Sequence, residues 1–321
     1  MATKTLITGA TGFVGSHLAE YLIEKYPDNE LYGTYLSDDS LKNLETVKDN
    51  INLTKLDLSS EKEIFGLIEK IKPDIVYHLA AMASVADSFS SPKEPVINNI
   101  SAQINVLEAI RKFNLENSKL LVVSSAEIYG DVAKEDLPID EQTPFRPTNP
   151  YAVSKMTQDF LGLQYFLAYK LKTVRVRPFN HIGPRQSPNF VVAAFAKKIV
   201  EIEKGKRENV LTVGNLEAKR DFTDVRDMVK AYDLAITKGE EGEAYNLGSG
   251  ISYKIKDILN KMLSLSKTEI KIETDKSLFR PIDNPELICD ASKFKKITEW
   301  ETSVEIDKTL KDTLDYWRNI I

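Results

Sequence analysis

The 321-residue chain has a single cysteine, Cys289, so it closes no disulfide within itself and offers neither a cysteine zinc cluster nor a thiol relay. Its three histidines, His17, His78 and His181, lie far apart and form no H-x-x-x-H pair, which leaves no metal site to expect. Nowhere do ~18 uncharged apolar residues run together, and the opening "MATKTLITGA" lacks a basic segment followed by a long apolar run. Neither a membrane span nor a signal peptide is expected, and a reducing cytoplasmic setting is the default. An excess of positive charge is also missing: the formal net charge is −5 and the isoelectric point is near 5.5. Proteins that bind nucleic acid or anionic membranes need a basic face to displace counterions, so neither partner is expected. Any anionic ligand must be met locally.

What is present is a chain 42% hydrophobic, long enough for a large buried core. Short apolar runs, "TLIT" from 5, "LYGTYL" from 31, "INLTKLDL" from 51, "DIVYHLAA" from 74, "KLLVVSS" from 119 and "TVRVRP" from 173, alternate with amphipathic stretches such as 61–70 and 97–112. That rhythm reads as βαβ units, an α/β fold with a doubly wound parallel sheet that binds ligands beyond the carboxyl ends of its strands. After residue 178 the pattern loosens into "RPFNHIGPRQSPNF", then a helix over 190–204, strand-like pieces near 211, 221 and 244, and helices over 254–265 and 304–319. A smaller C-terminal α/β lobe is expected. The expected boundaries are 1–177 with about 221–243 for the dinucleotide domain, and about 178–220 with 244–321 for the lobe.

Between the first strand and the first helix lies "TLITGATGFVGSHLAEYL", with Gly9, Gly12 and Gly15 spaced G-x-x-G-x-x-G. Glycine suits a sharp turn, a backbone that must approach a pyrophosphate, and a helix packed closely on its strand. At the first strand of a βαβ series this reads as a nucleotide loop, lined by Gly9, Thr11, Gly12, Phe13, Val14 and Gly15. An acidic residue ending the second strand would select NAD through the ribose hydroxyls, and an arginine NADP. "LYGTYLSDDSLK" ends in neither: Ser37 suits a phosphate and Asp38 a ribose, so NADPH and NADH both stay open. Asp57 and Leu58 are placed to meet the adenine, although Asp57 reads equally as a solvated strand-end residue. Leu79, Ala80 and Ala81 of "HLAAMAS", with Ser84 at its end, let backbone pass close to a flat cofactor and its substrate.

In "TNPYAVSKMTQDFLG" Asn149 is a good helix N-cap and Pro150 a good first residue, so a helix is expected to start near Tyr151. Tyr151 and Lys155, four apart, then share a face. A nearby ammonium is expected to lower the phenol from its ordinary pKa of about 10 towards neutrality, fitting it to give a proton to a carbonyl.

Joined to the glycine loop and to "VVSSAEIYG" after an apolar strand, the pair makes the chain resemble the extended short-chain dehydrogenase/reductase family over nearly its whole length. The resemblance implies a Rossmann-like sheet and assigns Ser125 to polarise the substrate oxygen, with Ser124 competing, Tyr151 as acid, and Lys155 to hold the nicotinamide ribose as well. It also implies a place beside the cofactor for Asn99, and a homodimer paired through helices near 97–112 and 150–170. "RPFNHIGP", "VGNLEAKRDFTDVRD" and "RPIDNPELICDASK" look like the nucleotide-sugar segments of the GDP-mannose 4,6-dehydratase group and its sister reductases. By that likeness Asn180, Arg185, Asn215, Arg220 and Arg280 face a GDP-linked sugar, with Arg220 and Arg280 as forks for its diphosphate. Arg185 is as consistent with an ion pair, and His181 with a packed loop residue.

Group members that dehydrate a hexose carry an acid or hydroxyl residue and then a glutamate after the catalytic hydroxyl. Here the triplet is Ser125-Ala126-Glu127. Alanine moves no proton, whereas reducing a C4 ketone needs only a hydride donor, a polarising hydroxyl and an acid. The resemblance therefore implies reduction of GDP-4-dehydro-6-deoxy-D-mannose by NADPH or NADH; Glu127 keeps a base for dehydration, so a dehydratase, or a 4-epimerase using the same pocket, is the nearest alternative and a non-catalytic nucleotide sensor a remote one.

Overall fold

The computed structural model describes residues 2–279 and 284–321. Strands β1 (Lys4–Thr8), β2 (Glu30–Tyr35), β3 (Asn52–Lys55), β4 (Ile75–His78), β5 (Lys119–Val123) and β6 (Lys172–Pro178) alternate with helices. These are α1 (Phe13–Lys25), α2 (Glu61–Ile71), α3 (Val85–Ser90), α4 (Lys93–Lys112) and α5 (Pro150–Tyr169). The second half adds β7 (Asn180–Ile182), α6 (Val191–Glu203), β8 (Val210–Val213), β9 (Lys219–Asp224), α7 (Val225–Lys238), β10 (Ala244–Leu247) and β11 (Ser252–Lys254). It ends with α8 (Ile255–Ser264), β12 (Lys271–Thr274), β13 (Glu286–Leu287), α9 (Ser292–Thr298) and α10 (Ile306–Ile320). Among the described residues no helix is long and apolar enough to cross a membrane.

Seven strands form one parallel sheet in the order β10-β6-β5-β4-β1-β2-β3. From β1 the chain runs outward to β2 and β3, then returns to lay β4 on the other side of β1. That reversal leaves a crevice at the carboxyl ends of β1 and β4, where open α/β sheets hold ligands. The α4–α5 and α1–α7 pairs cover the two faces, giving one apolar core around Ile64, Val106 and Val122 and another around Leu18, Met228 and Tyr232. The smaller lobe joins β7, β9, β11 and β13, with β8–β12 as a separate pair, and packs α6, α8 and α10 around Phe195, Ile258 and Leu314.

Ala244–Leu247 lies beside β6 in the large sheet, and Phe294 and Trp300 pack in that sheet's core, on the opposite side of the expected boundary at 244. A four-residue strand carries no signal for which of two sheets it joins; long-range pairing decides it.

Helix α5 starts as its sequence suggests: Asn149 Oδ1 accepts the Ala152 N–H at 2.8 Å, and Pro150 occupies the first turn. Its buried face is anchored by charge. Asp159 takes Arg175 Nη1 at 2.5 Å and Arg177 Nε at 2.9 Å, all three side chains being buried. Removing one member of a buried ion group strands the others in a low dielectric. Asp159→Asn is therefore expected to cost about 3–5 kcal/mol in urea denaturation. A loss below about 1 kcal/mol would mean that the arginines find other partners.

Candidate active site

A cavity of about 950 Å³ opens at the crevice and continues into the smaller lobe. Its floor begins with the glycine loop. Gly9 sits at φ +70°, a left-handed conformation that favours glycine, and a Cβ on Gly15 would press on the Gly9 carbonyl oxygen and come within 2.9 Å of Ala10 Cα. The N-cap of α1 is Gly12, which has no side chain to close the first turn, and Gly9, Thr11, Gly12, Phe13, Val14 and Gly15 all line the cavity. Unclosed N–H groups at a helix N-terminus suit a diphosphate, so this loop fits a dinucleotide.

Ser37, Asp57, Leu58, Leu79, Ala80 and Ala81 line the same half. Asp38 does not: its carboxylate meets Lys55 Nζ at 2.6 Å, in place of the ribose contact expected of it. Ser40, not foreseen, joins Ser37 on the wall, and its Oγ lies 2.7 Å from Thr11 Oγ1. The second strand thus ends in hydroxyls at the cavity, without a carboxylate.

Asn99 is fully buried and absent from the cavity wall, so its expected cofactor contact is corrected to a bracing role. Its Oδ1 accepts the Met82 N–H at 2.8 Å, and its Nδ2 donates to the Met82 carbonyl at 3.1 Å and to Ser154 Oγ at 3.0 Å. The amide ties α4 to the loop after β4 and to α5.

Ser125, Tyr151, Lys155 and Glu127 converge on the cavity. Ser125 hydrogen-bonds Tyr151 and accepts the Glu127 N–H at 3.2 Å, while Ser124, also on the cavity wall, donates to the Lys155 carbonyl at 3.1 Å. Glu127 Oε2 accepts from Asn149 Nδ2 at 3.1 Å. The expected coupling of Tyr151 to Lys155 takes a different form. Burial pushes the Tyr151 phenol up to about 12, against the lowering effect of the Ser125 hydrogen bond, and the Glu127 charge adds to the rise. Lys155, lowered to about 7 by burial with Asp159 opposing, gives its ammonium to Gln158 Oε1 at 2.8 Å. Sharing a helix face makes the two side chains neighbours of one cavity; a closer partner within that face holds the ammonium.

Ser84, Asn180, Asn215 and Arg220 also line the cavity. Ser84 caps α3 through the Asp87 N–H, and Asn215 Oδ1 accepts the Glu217 N–H at 2.9 Å. Arg220 is anchored by Nη1 to the carbonyls of Lys219 and Asn284 at 2.7 and 2.8 Å. Neither Asp221 nor Asp224 competes for it. Asp221 takes the N–H groups of Ser249, Gly250 and Cys289, and Asp224 pairs with Arg226.

Arg185 is corrected. With φ +73° it turns to α1 and forks onto Glu20 at 2.7 and 2.5 Å, with Asn43 O at 2.8 Å, outside the cavity wall. The positive φ among prolines, invisible in the sequence, aims the side chain at the carboxylate. Arg280 lies outside the described residues. His181 lines the cavity and stacks on Phe13, ring centroids 5.9 Å apart.

Sequence reasoning missed Gln158, whose sole signal was a polar residue three after Lys155 on the same helix face. It also missed His78, whose Nδ1 lies 2.9 Å from Thr8 Oγ1 and which burial lowers to about 3, keeping it neutral beneath the site. Gln186, Asn189, Phe190 and Leu278, also unforeseen, line the same cavity. Among the described residues no group of three or more His, Cys, Asp or Glu side chains could hold a metal ion.

Known proteins resemble the chain over nearly its whole length. The chain is 30% identical over 319 residues to the GDP-6-deoxy-D-mannose reductase of Pseudomonas aeruginosa, covering 99% of this chain and 98% of the relative. It is 32% identical to GDP-mannose 4,6 dehydratase 1 of Arabidopsis thaliana, covering 97% and 88% respectively. The solved structure of RMD from Pseudomonas aeruginosa complexed with NADPH superposes with a TM-score of 0.84 at 29% identity, covering all of both chains. The GDP-mannose 4,6 dehydratase family model matches residues 6–313, and with a glycine loop, a Ser-Tyr-Lys floor and a second lobe all opening on one cavity, the chain belongs to that family.

Proposed function

We propose that the protein reduces the C4 ketone of GDP-4-dehydro-6-deoxy-D-mannose to GDP-D-rhamnose with NADPH or NADH. The observation that carries this reading is Ala126, buried at the cavity between Ser125 and Glu127. Its methyl group transfers no proton at the position where a dehydratase needs one, while the groups required for ketone reduction are all present. The likeness to the reductase from Pseudomonas aeruginosa supports the same choice.

A bound NADPH or NADH supplies the hydride to C4. Ser125 Oγ hydrogen-bonds the ketone oxygen, and the Tyr151 phenol gives that oxygen its proton as the carbonyl becomes a hydroxyl. The burial that keeps Tyr151 protonated suits a donor. The Lys155 ammonium holds the ribose and offsets the phenolate left behind. Arg220, on the cavity wall, faces the GDP diphosphate, and Asn180, Asn215 and Ser84 hold the remaining polar groups of the substrate. Ser37 and Ser40 at the end of β2 accept either cofactor: hydroxyls hydrogen-bond a ribose or a 2′-phosphate without repelling it.

Incubating the protein with the 4-keto sugar nucleotide and either cofactor, while following absorbance and product identity, tests the reading; unchanged cofactor with that substrate would sink it. Because the Glu127 carboxylate also reaches the cavity beside Tyr151, a residual dehydratase is the second reading. Glu127→Gln is expected to keep C4 reduction within about threefold of the parent while abolishing any dehydration, since only C5 deprotonation requires a base there. Complete loss of reduction would give Glu127 a direct part in it.

The apolar side chains of Ile97 on α4 and of Val153, Phe160 and Leu167 on α5 stand exposed on one side of the sheet. They support a homodimer paired through these helices. The buried free thiol of Cys289 accords with a cytoplasmic setting.

A further inference from the structure

Beneath the reacting groups, the amide of Gln158 joins two elements. Its Oε1 accepts the Lys155 ammonium at 2.8 Å, and its Nε2 donates to the Asn99 carbonyl at 3.0 Å. Gln158, Lys155 and Asn99 are all buried, so neither bond is exchanged with solvent. Asn99 in turn grips Met82, a cavity residue, and Ser154, whose Oγ donates to the Tyr151 carbonyl at 2.8 Å. The chain from cavity wall to ammonium is therefore closed: Met82, Asn99, Gln158, Lys155.

We infer that Gln158 is a positioning residue that holds the Lys155 ammonium ready for the ribose through a direct hydrogen bond to its side-chain oxygen. The inference rests on the proposed role of Lys155 in cofactor binding. A neutral acceptor suits this post. It satisfies the ammonium without neutralising it, so the charge stays available to the ribose and to the phenolate, whereas a carboxylate there would compete for it. The other groups facing Lys155 do not supply this hold. Asp159, on the same helix, is committed to Arg175 and Arg177 of β6. His78 of β4 is neutral and bonded to Thr8, and Tyr151 and Ser125 bond each other. Ser124 reaches only the Lys155 backbone carbonyl.

The test is the pH dependence of NADPH affinity of the full chain, by fluorescence titration from about pH 6 to about 10, the span in which a buried lysine titrates. Affinity is expected to fall as pH rises through the lysine's titration, because the neutral amine grips the ribose less well. Gln158→Met removes the acceptor at similar size and is expected to move that midpoint down by about one unit; Gln158→Glu is expected to move it up by about one unit. Where the methionine variant does not fold, Gln158→Asn, one methylene short of the ammonium, is expected to move it down likewise. Gln103→Met breaks a different bond at the same helix junction, Gln103 Nε2 to the Gln158 carbonyl, and is expected to leave the midpoint in place. Opposite shifts in the two Gln158 variants are not what general loosening produces, since hydration of the site raises the lysine in every case. Midpoints that stay with the parent, or move together, overturn the assignment. A parent protein that binds NADPH with this pH dependence but reduces no 4-keto sugar nucleotide removes the reductase reading and leaves Gln158 in its role. Turnover with unmoved midpoints does the reverse.

Discussion

Tyr151→Phe is expected to lower turnover of the 4-keto sugar nucleotide by about 10²–10⁴-fold, the usual contribution of a positioned acid, while NADPH still binds. The variant keeps the ring and its burial and removes only the hydroxyl that hydrogen-bonds Ser125. Hydride arrival at C4 then leaves an alkoxide held by the Ser125 hydroxyl but without the acid that would protonate it, and that charge is costly in a desolvated cavity. Because Tyr151 starts from about 12 in the ligand-free protein, it gives up its proton only when the phenolate is stabilised, which is the part proposed for the Lys155 ammonium. Lys155, lowered to about 7 by burial, is largely charged only below that pH. Turnover is thus expected to hold on the acid side and to decline as pH rises through the lysine's titration, displaced upward once an anionic cofactor is bound. Steady-state kinetics beside a cofactor-binding titration separate the two effects. Full activity in the phenylalanine variant would remove Tyr151 from the chemistry.

The second large effect is expected at Gly15. Gly15→Ala places a methyl group against the Gly9 carbonyl and the Ala10 backbone, and backbone has no rotamer by which to yield. The strain, about 1–3 kcal/mol for overpacking of this kind, falls on the loop proposed to cradle the diphosphate, so NADPH affinity is expected to drop by about 5–150-fold. Gly66→Ala is the control: a Cβ there meets nothing within 4 Å, and affinity is expected to stay at the parent level. Equal affinity in both variants would mean that the loop does not carry the cofactor.

How much of this was legible beforehand depends on range. The glycine loop, the capped start of α5 and the alternation of strands and helices are local, each set by the residues it contains, and the chain shows all three. A side chain's partner is not local. Arg185 and Arg220 both read as residues of the cleft, yet a positive φ sends one to Glu20 while the Asn284 carbonyl holds the other at the cavity. Asp38 read as a ribose contact until β3 brought Lys55 beside it.

By itself, then, the sequence determined the parallel α/β fold, the glycine loop and the helix that presents Tyr151 and Lys155 together, because composition, glycine spacing and helix period are properties of short segments; Ala126 takes its meaning only from the resemblance to the group. Tertiary structure alone decided that β10 joins the large sheet, that Asn99 braces the site without lining it, and that the Lys155 ammonium rests on Gln158 with the Tyr151 phenol raised by burial. Those outcomes depend on which distant groups burial brings within hydrogen-bonding reach and how much water it removes, and both are set only when the chain has closed on itself.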